Sequence, residues 1–223
     1  MNQSKHHNST IVANNISFEI RSGVSIFKSL SVSLSGEKTG LVGKNGSGKT
    51  TLLRLLVGEL EPTSGKIQRA GIIAYLPQDY QLNLQQTISE TLGVKEKLEA
   101  LNKIKSGNKN QAFLEIIGKD WDIESRITKI LEQLKISELN LDRSLNSISG
   151  GERTKVIIAR LLISEPEFIV LDEPTNNLDR ESREFIYELI KNWQSGLLIV
   201  SHDRNLLNLL DQILELSSGK LKI

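Results

Sequence analysis

Residues 43–50 read Gly-Lys-Asn-Gly-Ser-Gly-Lys-Thr. Gly43, Gly46 and Gly48 let a backbone curl until successive N–H groups converge on one anion. The segment follows a short apolar run, 39–42, and opens a helix-like run, 51–60, with Leu52, Leu53, Leu55 and Leu56. The helix N-terminus adds its positive dipole end. Lys49 is placed to reach the outer phosphates of a nucleotide, and the Thr50 hydroxyl to bind Mg²⁺. The alternative is a chance Gly-rich turn, which the strand–loop–helix context disfavours. The candidate nucleotide-binding residues are therefore Gly43, Lys44, Asn45, Gly46, Ser47, Gly48, Lys49, Thr50 and Thr51.

Two further clusters carry chemistry. Phe168–Leu171 is an apolar run that ends on Asp172 and Glu173. Acids at the carboxyl end of a buried strand sit where α/β sheets bind ligands. Asp172 can hold Mg²⁺ through its water shell. Glu173 beside it can polarise an attacking water, or it is a surface residue at a strand end. Ser149, Gly150, Gly151 and Glu152 precede a run with Val156, Ile157, Ala159 and Leu161 on one side. Ser149 and Glu152 have the spacing of a capping box. A hydroxyl, bare N–H groups and a helix dipole also make an anion site.

The surrounding pattern supplies the frame for these clusters. Residues 11–20 and 24–34 alternate partially and read as antiparallel strands near an edge. Residues 39–42, 71–76, 168–171 and 197–200 read as strands, with helices over 51–60, 181–193 and 203–210. A closing hairpin is expected around Ser217-Ser218-Gly219. Strands alternating with helices imply a mostly parallel sheet covered on both faces. A capping box at Thr87 and Glu90 starts a helical insert, with one stripe through Val94, Leu98, Leu101 and Ile104. A second stripe runs through Ile123, Ile127, Ile130, Leu131 and Leu134. With the helix after Ser149, this gives a helical subdomain of about 87–165. Lys95, Lys97, Lys103, Lys105 and Lys109 make either a solvated face or a nucleic-acid contact.

Composition bounds the rest. The chain has 223 residues, no Cys and a net charge of +1. Without Cys, disulfide scaffolds and thiolate metal sites are excluded. No apolar run is long enough for a bilayer-spanning helix, and residues 1–10, expected to be a flexible start, lack the apolar stretch of a secretory signal. The expected location is cytoplasmic. His6 and His7, in that polar start, read as surface residues. A near-zero charge gives no global pull on nucleic acid and leaves room for a local patch.

The loop 43–50, Ile148-Ser149-Gly150-Gly151-Glu152, Asp172-Glu173 and Ser201-His202-Asp203 stand in the order and approximate spacing of an ATP-binding cassette (ABC) domain. The resemblance covers about 11–223. It implies an α/β fold of the P-loop NTPase type, with a mostly parallel core sheet, an N-terminal antiparallel β subdomain and the inserted helical subdomain. It also implies ATP hydrolysis with Mg²⁺ held by Thr50, Gln78 and Asp172. Gln78 matches the glutamine that reaches the metal and attacking water, and His202 the histidine that contacts the γ-phosphate. Without the resemblance these two read as an ordinary turn residue and a neighbour of a helix cap. Leu178-Asp179 matches the segment that communicates with an opposite subunit.

Glu152, the run 171–179 and Ser201-His202-Asp203-Arg204 are most similar to the ABC-F group of ribosome-associated ATPases. That implies a second cassette as partner, from a homodimer or from a missing second half, because the Ser149 helix end serves the partner's ATP. It also implies a ribosome or rRNA partner, and no direct insertion into a membrane. The alternatives are the nucleotide-binding subunit of an ABC transporter and a module that clamps ATP without useful turnover. Three features depart from the pattern. Asn177 stands where a His is usual. The adenine-stacking place falls on Arg21, with Phe18 nearby, rather than on an aromatic at that offset. The chain ends just after its first cassette.

Overall fold

The computed structural model describes residues 9–20, 23–78, 80, 82–108, 110–176 and 178–222. Expectations for residues 1–8, including His6 and His7, and for Arg21, Lys109 and Asn177 lie outside the described residues. The chain divides into two compact units. One combines the chain up to Tyr80 with the chain from Pro166; the other is Gln81–Glu165.

The first unit holds two sheets. The smaller runs β2 (Ser25–Leu34), β1 (Thr10–Glu19), β4 (Ser64–Ala70), all antiparallel. Strand β1 is therefore central, paired on both sides, rather than at an edge as its sequence suggested. The reason is β4, which the sequence did not reveal. Its residues Ser-Gly-Lys-Ile-Gln-Arg-Ala are exposed except for a half-buried Ile67, so it lacks apolar alternation.

The larger sheet runs β5 (Ile73–Leu76), β6 (Phe168–Asp172), β7 (Gly196–Val200), β3 (Lys38–Val42), β8 (Gln212–Ser217), β9 (Lys220–Lys222). Its pairings are parallel from β5 through β8, and β8 and β9 form the expected antiparallel hairpin. Strands β6 and β7 are buried at every residue, as continuous apolar runs are in parallel sheets covered on both faces.

Helix α1 (Lys49–Val57) buries Leu52, Leu53, Leu55 and Leu56 in a core shared with Ile11, Ile16 and Phe27 of the small sheet and with Phe168, Val170 and Leu198 of the large one. Each such leucine stabilises the fold by roughly 1.5–3 kcal/mol. Its far end is fixed by Arg69, whose Nε and Nη2 donate to the carbonyls of Leu56 (2.8 Å) and Leu55 (2.7 Å). The glycine-rich loop 43–48 is thus mounted on a helix held at its apolar face and at its C-terminus. Helices α7 (Arg180–Asn192) and α8 (Arg204–Leu207) complete this unit.

The second unit is helical: α2 (Ile88–Leu92), α3 (Lys95–Lys105), α4 (Gln111–Ile117), α5 (Ile123–Gln133), a 3₁₀ turn (Leu145–Ser147) and α6 (Gly150–Ile163). The Thr87–Glu90 capping box is formed. The single helix expected from it is in fact two, because Gly93 adopts a left-handed φ of 72° and closes α2. Helix α4 was not foreseen. The lysine-rich segment is largely neutralised within its own unit: Lys95 pairs with Glu90, Lys97 with Asp120 and Lys105 with Glu124, while Lys103 is exposed. Among the described residues no helix is long and apolar enough to cross a membrane.

Candidate active site

Strand β3 ends at Val42, and residues 43–48 turn back into α1. Gly48 is the cap residue of α1, with φ 98°. A Cβ there would lie 2.8 Å from Ile26 Cγ2 and 3.0 Å from Phe27 Cζ. Both the backbone and the space require glycine. Lys49 is 8% exposed. Its Nζ donates to the carbonyls of Gly43 (2.8 Å) and Lys44 (3.2 Å), so the ammonium lies inside the loop. No side chain caps α1 and no acid stands in its first turn. By contrast α2, α6 and α7 each have a hydroxyl or carboxylate cap and a first-turn acid. The first amides of α1 keep their full affinity for an anion.

Strand β6 brings Asp172 and Glu173 beside that loop. Asp172 is 1% exposed. Glu173 follows it with a left-handed φ of 50°, a conformation costly for a residue with a Cβ and concentrated at functional sites. Its N–H donates to the Val200 carbonyl of β7 (2.9 Å), which holds the turn. Its side chain is 7% exposed, and its Oε1 lies 3.5 Å from His202 Nε2. The His202 backbone amide also favours the ionised carboxylate. Burial nevertheless dominates and holds the Glu173 carboxyl above its ordinary range, against the lowering pull of His202 and of Lys49. Glu173 is thus no surface residue.

A cleft of about 480 Å³ gathers most of the expected residues. Asn45, Gly46, Gly48, Lys49, Thr50 and Thr51 line it from the loop, Asp172, Glu173 and His202 from the strand ends, and Gln78 from the segment after β5. Gly43 and Lys44 serve instead as acceptors for Lys49. Ser47 lines a neighbouring depression that shares Ile26 and Gly46 with the cleft.

The remaining cluster belongs to the helical unit. Ser149 Oγ accepts from the Glu152 amide (3.2 Å), and Glu152 Oε2 accepts from the Ser149 amide (2.7 Å). The capping box is therefore real, and these bonds hold the Glu152 carboxyl below its ordinary range. Two arginines fix the turn in front: Arg143 Nη2 donates to Ser147 O (2.5 Å) and Arg153 Nε to Leu145 O (2.8 Å). Gly150 is open, and a Cβ there would meet nothing within 4 Å.

Residues 27–176 match the sequence model of the family described as ABC transporter. The chain belongs to the ABC transporter family. As a member it is an ATP-binding cassette. It is 30% identical to ABC transporter F family member 5 of Arabidopsis thaliana, over 88% of this chain and 32% of that protein. It is 31% identical to the energy-dependent translational throttle protein EttA of Mycobacterium tuberculosis, over 83% of this chain and 36% of that protein. The cassette thus spans about a third of the length of these relatives. Among solved structures, a nucleotide-free ATP-binding cassette from an ABC transporter superposes with a TM-score of 0.72 at 26% identity, covering 96% of this chain and 90% of that one.

Sequence reasoning missed three residues that line the cassette's cleft: Ile26, Asn176 and Val200. Ile26 stands second in β2, five positions after Arg21 in sequence, and it presents an aliphatic surface to the cleft. Phe18 does not line the cleft; it packs, partly buried, against the core. For a divalent cation the cassette offers the Thr50 hydroxyl, the Asp172 carboxylate and the Gln78 amide oxygen in one cleft. These are hard oxygen donors of the kind Mg²⁺ takes alongside phosphate and water, so the donor set fits that ion.

Proposed function

We propose that residues 11–223 act as one nucleotide-binding domain that binds MgATP and hydrolyses it as half of a nucleotide-closed pair, in an ABC-F-type cytoplasmic factor that works on the ribosome. The observation that carries the hydrolytic reading is the convergence of Lys49, Asp172, Glu173 and His202 on one cleft. Lys49 and the loop amides hold the phosphates. Thr50, Asp172 and Gln78 would hold Mg²⁺, which when bound neutralises phosphate charge. Glu173, kept basic by burial, accepts a proton from the attacking water. His202 is poised beside it to contact the γ-phosphate.

The Ser149-Gly150-Gly151-Glu152 helix end offers its open Gly150 to the nucleotide of a second cassette, either another copy or the second half of a longer chain. Closing the pair would place preorganised donors on the γ-phosphate and exclude water. The likeness to a translational throttle protein and to an F-family member supports the ribosomal role. The internal pairing of Lys95, Lys97 and Lys105 leaves Lys103, exposed and outside these three pairs, as the described lysine of that cluster to test for an rRNA phosphate contact.

The test is Glu173→Gln. It is expected to keep ATP binding, lower turnover by more than about a hundredfold, and trap a pair that sediments as a dimer with ATP and magnesium. Unchanged steady-state hydrolysis removes Glu173 as the base. Adding ribosomes to the same sedimentation run tests the partner, and electrostatic binding should weaken steeply with salt. The likeness to a transporter cassette favours a second reading, a transporter's nucleotide-binding subunit. Copurification with a membrane protein rather than ribosomes decides for it.

A further inference from the structure

His202 reaches the cleft from a turn held on both sides. The Asp203 amide donates to Ser201 Oγ (3.0 Å), and Asp203 Oδ1 accepts from the amides of Asn205 (2.9 Å) and Leu206 (3.3 Å), capping α8. The other carboxylate oxygen, Oδ2, accepts a hydrogen bond from the hydroxyl of Tyr187 on α7. Burial first, and the Asp203 carboxylate after it, push the Tyr187 phenol up, so it stays a donor at neutral pH. Helix α8 has four residues, too few to hold a turn by itself. Helix α7 is firmly seated: Asp179 caps its start, and Ile186 and Ile190 are buried. The rigid end of this tie is therefore α7.

We propose that Tyr187 is a positioning residue for hydrolysis: by tying Asp203 to α7 it fixes the turn from which the His202 imidazole meets Glu173. The chain of contacts runs Tyr187 OH to Asp203, along the backbone to His202, and from His202 to the Glu173 carboxylate. This inference rests on the proposal that Glu173 and His202 carry out hydrolysis. Tyr187 itself does not line the cleft, so losing its hydroxyl should alter the rate and leave ATP affinity alone.

The experiment is Tyr187→Phe in the full chain, which keeps the ring and removes only the hydroxyl. The kcat for ATP is expected to fall about tenfold, the effect of losing one hydrogen bond to a charged group, with KM unchanged. In a His202→Ala background the same change should add no further loss, because both act through one group. The imidazole resonance of His202 should also shift. Only His6 and His7 share its residue type, so it is assigned by its disappearance in His202→Ala. A wild-type kcat in Tyr187→Phe, a raised KM at unchanged kcat, or losses that multiply in the double variant would overturn the proposal. A wild-type chain that pairs with ATP and magnesium yet shows no turnover defeats the hydrolytic reading instead. An unmoved His202 resonance defeats the tie itself.

Discussion

Helix α1 begins just after a glycine-bearing loop and α6 begins on two glycines, and their N-termini are finished in opposite ways. Helix α1 has a glycine cap, no capping side chain and no acid in its first turn. Helix α6 has Ser149 on its third amide and Glu152 folded back onto the Ser149 amide. The positive end of α1 is left whole for an anion, whereas that of α6 already faces a carboxylate of its own chain. A phosphate at α1 meets a buried lysine and bare amides; a phosphate approaching α6 meets Ser149, open Gly150 and a negative charge. The first arrangement suits standing nucleotide binding. The second suits a contact made and released in each cycle.

The sharpest way to break this comparison is to add one methyl group to each helix start. Gly48→Ala forces a Cβ into a φ of 98° and against Ile26 and Phe27. A strained left-handed residue costs about 1–3 kcal/mol, and relief by moving the loop displaces the amides. Nucleotide titration should show ATP affinity reduced by about tenfold to a hundredfold. Gly150→Ala is the control. Its φ is not left-handed and its Cβ would meet nothing within 4 Å. It should leave monomer ATP affinity untouched and raise stability by about 0.4–1 kcal/mol in urea unfolding. Equal effects of the two changes on ATP binding would erase the distinction.

That contrast was only half legible in the sequence. The glycine spacing at 43–48 marked the tight loop that opens α1, because left-handed turns restrict residue choice. At Ser149 the same letters permitted a capping box and an anion site, and only the two hydrogen bonds between Ser149 and Glu152 establish that the box is formed. Asp172 and Glu173 were legible because acids ending an apolar run are hard to bury without purpose. Ile26 and Val200 were not, because an aliphatic residue facing a cleft is indistinguishable by type from one facing the core. Strand β4 escaped because its polar residues carry no period, and α4 because its seven residues (Gln111–Ile117) are too few to establish a stripe. The parallel order of the larger sheet followed from alternation of elements, whereas the central place of β1 depended on the unseen neighbour.

A second, smaller effect probes the charge at α6. Glu152→Gln keeps an acceptor for the Ser149 amide and removes the negative charge. If that charge moderates the approach of a phosphate, ATP-driven pairing of the Glu173→Gln chain should tighten by about threefold to fivefold when Glu152→Gln is added, the size of a surface dipole or charge term of 0.3–1 kcal/mol. Sedimentation across protein concentration measures this directly. The same substitution should leave monomer ATP affinity unchanged, since Glu152 does not line the nucleotide cleft.

The smallest effect is on stability and concerns the sign of the pH dependence. The bonds from Ser149 hold the Glu152 carboxyl below its ordinary range in the folded chain. A depressed folded value means that the ionised form favours the fold. The contribution is fully present above the unfolded value of about 4.3 and is lost as pH falls through the folded value. Glu152 is only half-buried and its charge partly screened, so the gain is expected to stay below about 1 kcal/mol. Urea midpoints for the wild type and Glu152→Gln should therefore differ at pH 7, with the wild type the more stable, and draw together as pH is lowered from 5 towards 3. A gap that widens on acidification would mean that the carboxylate opposes the fold at the start of α6. The self-capping that separates α6 from α1 would then cost stability instead of contributing it.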